Sequence, residues 1–271
     1  MSEPSVPDHA WESQISQLLV ALSKGAKNVV VGGSYFVDQT IPIAKVVAKS
    51  GGVICAFESN HDQRKMLNKN AQLNQHENIV PNKEGLWDNS ISALTIIVYD
   101  SFAYPEAVDP SHDDASQTTM IDEYLRSVNV KQLDLIMLDI EGAELRVLKS
   151  GLEFLKQPVG QPPNIVFEGH RHVVDWSDCL ENTALIFFLT DLGYKVFAVR
   201  DFNSNYNVFE KPIEIIPAKD VYLDGPNHGF NMASVNDSGI FNNPSFSICH
   251  EVSPKLFQHK DTALHHLLDG R

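Results

Sequence analysis

The stretch Leu133–Leu145, LDLIMLDIEGAEL, is largely apolar through Leu138 and then places Asp139, Glu141 and Glu144 in quick succession. A carboxylate at the end of a core strand is costly unless it is paired or hydrogen-bonded. These acids therefore either cap the helix that follows or face a ligand. A second group of the same kind ends the run PNIVFEGH, where Glu168 and His170 stand two residues apart and so point to one side of an extended chain. Imidazole titrates near neutral pH, which makes His170 the best general base by type, with Glu168 and Asp139 beside it as catalytic candidates. Arg171 and His172 extend the group. Asp139, Glu141, Glu168 and His170 are also oxygen and nitrogen donors that could converge on Mg²⁺. Nothing in their spacing demands it, and no metal is expected.

A third signal lies upstream. VVVGGSYF ends a short apolar run in Gly32 and Gly33, and 25 residues after Gly33 the run VICAFES reaches Glu58. A glycine turn lets backbone N–H groups approach a ligand, and an acid ending the next strand can grip ribose hydroxyls.

Elements that could position these groups alternate along the chain. Apolar strand-like runs (NVVVGG, VICAFES, ALTIIVYD, LDLIMLDI, PNIVFEGH, KVFAVRD) are separated by helical patterns, the first of them WESQISQLLVALSKGAK. Continuous apolar strands between amphipathic helices predict an α/β fold. The expected form is a doubly wound, mostly parallel seven-stranded sheet flanked by helices. SFSICHEV would return as the last, antiparallel edge strand. In such sheets ligands bind outside the carboxyl ends of the strands, where Gly33, Glu58, Asp139 and His170 all fall.

Composition narrows the function classes. A net charge of -14 over 271 residues argues against a nucleic-acid surface, which needs basic stripes. Nine acids and no Lys or Arg lie between Lys83 and Arg126, which reads as a solvated acidic face. Three widely spaced cysteines suit a reducing compartment. The start MSEPSVPDHAWE lacks the basic and apolar regions of a signal peptide, and no apolar run is long enough to span a bilayer. A cytoplasmic protein without a membrane partner is expected.

With those residues in place, the chain from about Asn28 to His172 resembles the FkbM-type S-adenosylmethionine-dependent methyltransferases, a branch of the Rossmann-like methyltransferases. The matching segments are VVVGG, FESN (Phe57–Asn60), MLNKNAQLNQHENI, TMIDEYL, LDIEGAELRVLKSG and IVFEGH, in the family's order and spacing. Three positions depart: Val30 stands for an acid, Phe36 for a second glycine, and Ser59 for a common proline. The resemblance implies that S-adenosylmethionine is bound by Gly32, Gly33, Ser34, Tyr35, Glu58, Ser59, Asn60, Trp87 and Asp139, with Glu58 on the ribose and Trp87 near the adenine. It implies O-methylation of a small molecule such as a sugar or natural product. The departures in the glycine loop leave open a cofactor-binding, non-catalytic partner of another enzyme.

The expected organisation is an N-terminal tail and helix over 1–27 and one methyltransferase domain over 28–271. Residues 201–246, rich in Asn, Gly, Pro and aromatics, are read as a lid-like insertion, with Tyr206, Phe209, Tyr222 and Phe230 over the pocket. Oligomeric state is left open.

Overall fold

The apolar runs that carry the candidate residues lie side by side in one sheet. A computed structural model describes residues 12–34, 39–90, 92–99, 102–109, 111, 115–158, 162–170, 174–200, 211–223, 229–255 and 259–264. In chain order, α1 (Ser13–Leu22) leads into β1 (Asn28–Gly32), α2 (Thr40–Lys49), β2 (Val53–Phe57), α3 (His61–Leu73) and β3 (Ile79–Asn82). Short strands β4 (Gly85–Leu86), β5 (Ala93–Tyr99), β6 (Phe102–Val108) and β7 (Ser116–Thr119) follow. Then come α4 (Ile121–Ser127), β8 (Leu135–Leu138), α5 (Glu144–Lys149), α6 (Leu152–Leu155), β9 (Asn164–Gly169) and α7 (Ala184–Asp191). The chain closes with β10 (Lys195–Val199), β11 (Ile213–Pro217), β12 (Phe230–Val235) and β13 (Phe246–Ile248).

Alternate residues of each central strand face opposite sides of the sheet, and the core divides accordingly. Val29, Val31, Ile54, Ala56, Leu135 and Met137 meet α1, α2 and α3 on one face. Val30, Cys55, Phe57, Ile136 and Leu138 meet α4 to α7 on the other. Helix α1 buries Ile15, Leu18, Leu19 and Leu22, the stripe its spacing implies. Local signals set several boundaries. Asn60 caps α3 by accepting from the N–H groups of Asp62 and Gln63, and Thr183 caps α7 through Ile186.

The main sheet has nine strands in the order β13-β11-β10-β12-β9-β8-β1-β2-β3. The parallel pairing expected of β1, β2, β8 and β9 is observed, and β3, not among the expected strands, joins β2 in parallel. The seven-stranded count and the single antiparallel edge are not observed. β12 inserts antiparallel between β9 and β10, and β11 runs antiparallel to β10. β13 takes the edge and runs opposite to β1, β2, β8 and β9, as expected of the last strand, but it pairs in parallel with the equally reversed β11. ALTIIVYD is β5 of a separate four-stranded sheet, while β3 takes third place in the main one. A strand's apolar pattern says which side chains are buried but not which strand it pairs with.

The lid-like reading of 201–246 also needs correcting within the described residues, where the stretch contributes β11 and β12 to the sheet. Phe230 is buried against Trp176, with ring centroids 5.1 Å apart. Tyr206 and Phe209 lie outside the described residues.

The antiparallel half contains a buried ion pair. Arg200, whose side chain is 1% exposed, places Nη1 2.7 Å from Oε2 of Glu214. Removing one partner of a buried pair typically costs 3–5 kcal/mol. Glu214→Ala should therefore lower unfolding stability by about 3 kcal/mol in urea denaturation. A loss under about 1 kcal/mol would show that the pair does not hold this half together.

Candidate functional site

β1 lies between β8 and β2, so the chain leaves β1 toward one side of the sheet and later returns on the other. That switch point is where an open parallel sheet offers a crevice at its carboxyl edge. Gly33 adopts φ +74°, and a Cβ there would stand 1.7 Å from the Asp139 carbonyl oxygen. Only glycine fits this approach. Asp139 N donates to Gly32 O at 3.0 Å, joining the two strand ends. The N–H groups of Gly33 and Ser34 both donate to Phe57 O, at 3.1 and 3.3 Å, so the turn offers its Cα edge and side chains to a ligand, not these two donors. The Ser34 hydroxyl is buried and has no hydrogen-bond partner among the described residues.

Glu58 follows β2 and is 7% exposed, with Oε1 accepting from Asn60 N at 2.9 Å. Arg64 fixes the same turn by donating to the Glu58 and Ser59 carbonyls. A buried acid and an orphaned hydroxyl beside a tight glycine turn fit the ribose and methionine portions of S-adenosylmethionine. Trp87 is buried in the core near this turn, and the Arg146 guanidinium covers its ring at 4.8 Å while pairing with Asp88 at 2.7 Å. Tyr35 lies outside the described residues, as do Arg171 and His172.

The second half of the site forms where β8 and β9 end. His170 Nε2 is 3.1 Å from Glu141 Oε2 and 3.2 Å from Glu168 Oε2, and its N–H is aligned with neither as a hydrogen bond. Asp139 is half-buried beside them. Glu141 adopts a left-handed φ of 54°, uncommon outside glycine, and this turn brings its side chain to His170 instead of to the helix that follows. Glu144 has the structural part. It is buried, and its Oε1 accepts from the N–H groups of Ile140 and Gly142 at 3.2 and 3.1 Å, bracing the turn.

Two further groups join that sequence spacing did not mark. Glu12, just before α1, accepts from Gln39 Nε2 at 2.7 Å and from Asn231 Nδ2 at 3.0 Å. Asn231 pairs in register with Glu168 across β12 and β9, which brings the start of the fold to its catalytic end. A Cβ on Gly229 would stand 2.6 Å from Glu168 Oε1 and 2.9 Å from His170 Nδ1. Nothing local in WESQ or HGFN signals either contact.

The electrostatics follow from crowding. Burial, then the charges of Glu168, Glu12, Glu141 and Glu144, hold the Asp139 carboxyl well above the usual carboxylate range. Burial also acts on Glu168, but the adjoining His170 ring at 3.2 Å, with a hydrogen bond from Asp139, outweighs it and brings Glu168 below its ordinary value. This hydrogen bond joins Asp139 to Glu168. Burial raises Glu141. It would lower His170, yet Glu168, Glu141 and Glu144 raise it on balance.

Burial pushes Glu144 up to about 7, against hydrogen bonds that favour its charged form. Its folded value lies above its unfolded one, so the stability tied to its proton is complete below about pH 4.5 and is lost as pH rises through about 7. The loss is roughly 3 kcal/mol. Glu144→Gln should remove this dependence, gaining 2–3 kcal/mol, order of magnitude, relative to the native chain between pH 5 and pH 8 in urea denaturation. A constant difference across that range would contradict the assignment.

Comparison with known proteins places this geometry. A family model described as the methyltransferase FkbM domain matches residues 25–196. No curated protein matches the sequence significantly. Among solved structures, a precorrin-6y C5,15-methyltransferase from Geobacter metallireducens is similar at 12% identity and TM-score 0.48, covering 86% of this chain and 94% of that one. The O-methyltransferase TomG from Streptomyces achromogenes, in complex with SAM, is similar at 9% identity and TM-score 0.48, covering 86% and 84%. An O-methyltransferase from Bacillus cereus in complex with SAH is similar at 14% identity and TM-score 0.46, covering 87% and 84%. Among the described residues, no helix is long and apolar enough to cross a membrane. With the FkbM match spanning the glycine turn, Glu58, Asp139 and His170, the chain belongs to the FkbM methyltransferase family and is an S-adenosylmethionine-dependent methyltransferase.

Proposed function

We propose that the methyl acceptor is a hydroxyl of a small molecule, such as a sugar or natural product, so that the protein is an O-methyltransferase. The observation that carries this reading is the His170 imidazole held between Glu141 and Glu168, with Asp139 beside it, at the strand ends next to the glycine turn. S-adenosylmethionine supplies an electrophilic methyl group on a sulfonium. Gly32, Gly33 and Ser34 would line its central part, Glu58 would take both ribose hydroxyls, Ser59 and Asn60 shape the turn behind Glu58, and Trp87 would border the adenine side. Bound there, the cofactor would supply the methyl group to an acceptor oxygen held in line with the C–S bond, with the bonding electrons leaving on sulfur. The hydroxyl proton passes to the Asp139–Glu168–His170 cluster, with the imidazole as its main acceptor. Holding the two reactants in this geometry supplies much of the remaining rate. The net charge of -14 and the acids at the site favour a small acceptor over nucleic acid.

Two measurements test this. A hydrogen bond to a charged group contributes about 1.5–3 kcal/mol, so Glu58→Ala should weaken S-adenosylmethionine binding at least about tenfold in calorimetry. Unchanged affinity would remove Glu58 from the cofactor site. His170→Ala should lower kcat about 10²–10⁴-fold with cofactor affinity nearly unchanged, and near-native turnover would take His170 out of the chemistry.

A further inference from the structure

We propose that Asp139, Glu141 and His170 form a binding site for a divalent cation. The spacing of these residues in the sequence demands no metal, but folding draws them together. One carboxylate oxygen of Asp139, one of Glu141 and one ring nitrogen of His170 all lie within 4.8 Å of one another. Ligands of a cation at about 2.1 Å stand roughly 3–4 Å apart, so a small movement closes the set. Glu141, with a side chain 35% exposed at the end of a short turn, can make it.

A second observation comes from the ring itself. The His170 side chain is 9% exposed, and its Nε2 points into the cluster without an aligned hydrogen bond to either flanking carboxylate. The opposite nitrogen faces Gly229, where even a Cβ would stand 2.9 Å away, so Nε2 is the nitrogen turned toward the site. Glu168 and Glu12 lie around the same point. Four carboxyl groups around one imidazole leave an excess of negative charge at a half-buried site, which a dication offsets more fully than a proton does. Two oxygen donors with one imidazole suit a first-row dication such as Mn²⁺, and three protein ligands leave positions for other oxygens.

This inference rests on the acceptor position proposed above. With the ion bound, His170 would serve as a ligand, the ion would make the acceptor hydroxyl more acidic, and its proton would pass to Glu168, the carboxylate of the cluster outside the ligand set.

The test is calorimetric titration of the full chain with MnCl₂, alongside a separate titration with S-adenosylmethionine. One saturable Mn²⁺ site is expected, weakened at least about tenfold by Glu141→Gln while S-adenosylmethionine affinity and thermal melting stay unchanged. His170→Ala should weaken Mn²⁺ binding to a similar degree. No saturable Mn²⁺ binding by a chain that binds S-adenosylmethionine overturns the cation site, as does native Mn²⁺ affinity in the Glu141→Gln variant. Saturable Mn²⁺ binding lost in both variants supports the cation site even where hydroxyl acceptors are not methylated, a result that sinks only the O-methylation reading.

Discussion

At the centre of the molecule the end of β1 presses against the end of β8, closely enough that a Cβ on Gly33 would stand 1.7 Å from the Asp139 carbonyl oxygen. Glycine in a left-handed conformation is the condition for that approach. The contact joins the glycine turn after β1 to Asp139 at the end of β8. The Gly32 carbonyl accepts from Asp139 N, while the N–H groups of Gly33 and Ser34 reach the other way to Phe57. Three neighbouring strands are thereby tied at one edge, where Ser34, Glu58 and Asp139 follow β1, β2 and β8.

The acceptor side depends on managing repulsion. Asp139, Glu141, Glu168 and Glu12 would repel one another if all were ionised, and burial strengthens that repulsion. The fold answers with one imidazole between two of them, a hydrogen bond between Asp139 and Glu168, and amide groups of Gln39 and Asn231 on Glu12. Glu144 is kept apart from this set, its Oε1 occupied by backbone N–H groups of the turn it braces. A crowded cluster of this kind is poised to exchange its proton or to gather a cation, the two behaviours useful beside a hydroxyl that must become a nucleophile.

The antiparallel half of the sheet contributes more than an edge. β12 inserts beside β9 and sets Asn231 opposite Glu168, and Asn231 then holds Glu12 from the start of the chain. Residues 219 positions apart meet in that one hydrogen bond. The stretch after Arg200 therefore shapes the site as a strand within the sheet.

Much of this was legible in the residues alone. Period-two and helical spacing located the central strands and their helices, because burial of apolar side chains follows directly from those periods. The sites at strand ends followed from chemistry: glycines where a turn must be tight, and acids or histidine where a core strand has no reason to carry them. The order of motifs sufficed for the family. What the sequence did not determine was pairing. β5 has as good a strand pattern as β8 yet joins a separate sheet, and β12 runs antiparallel inside a sheet read as parallel. Nor did spacing separate the roles of Glu141 and Glu144 or bring Glu12 to Asp139. Those outcomes depend on a left-handed turn at Glu141, on backbone donors around Glu144, and on contacts across the whole chain. Local sequence sets which side chains seek burial or a partner; which partner each one finds is decided only when distant segments compete for the same space.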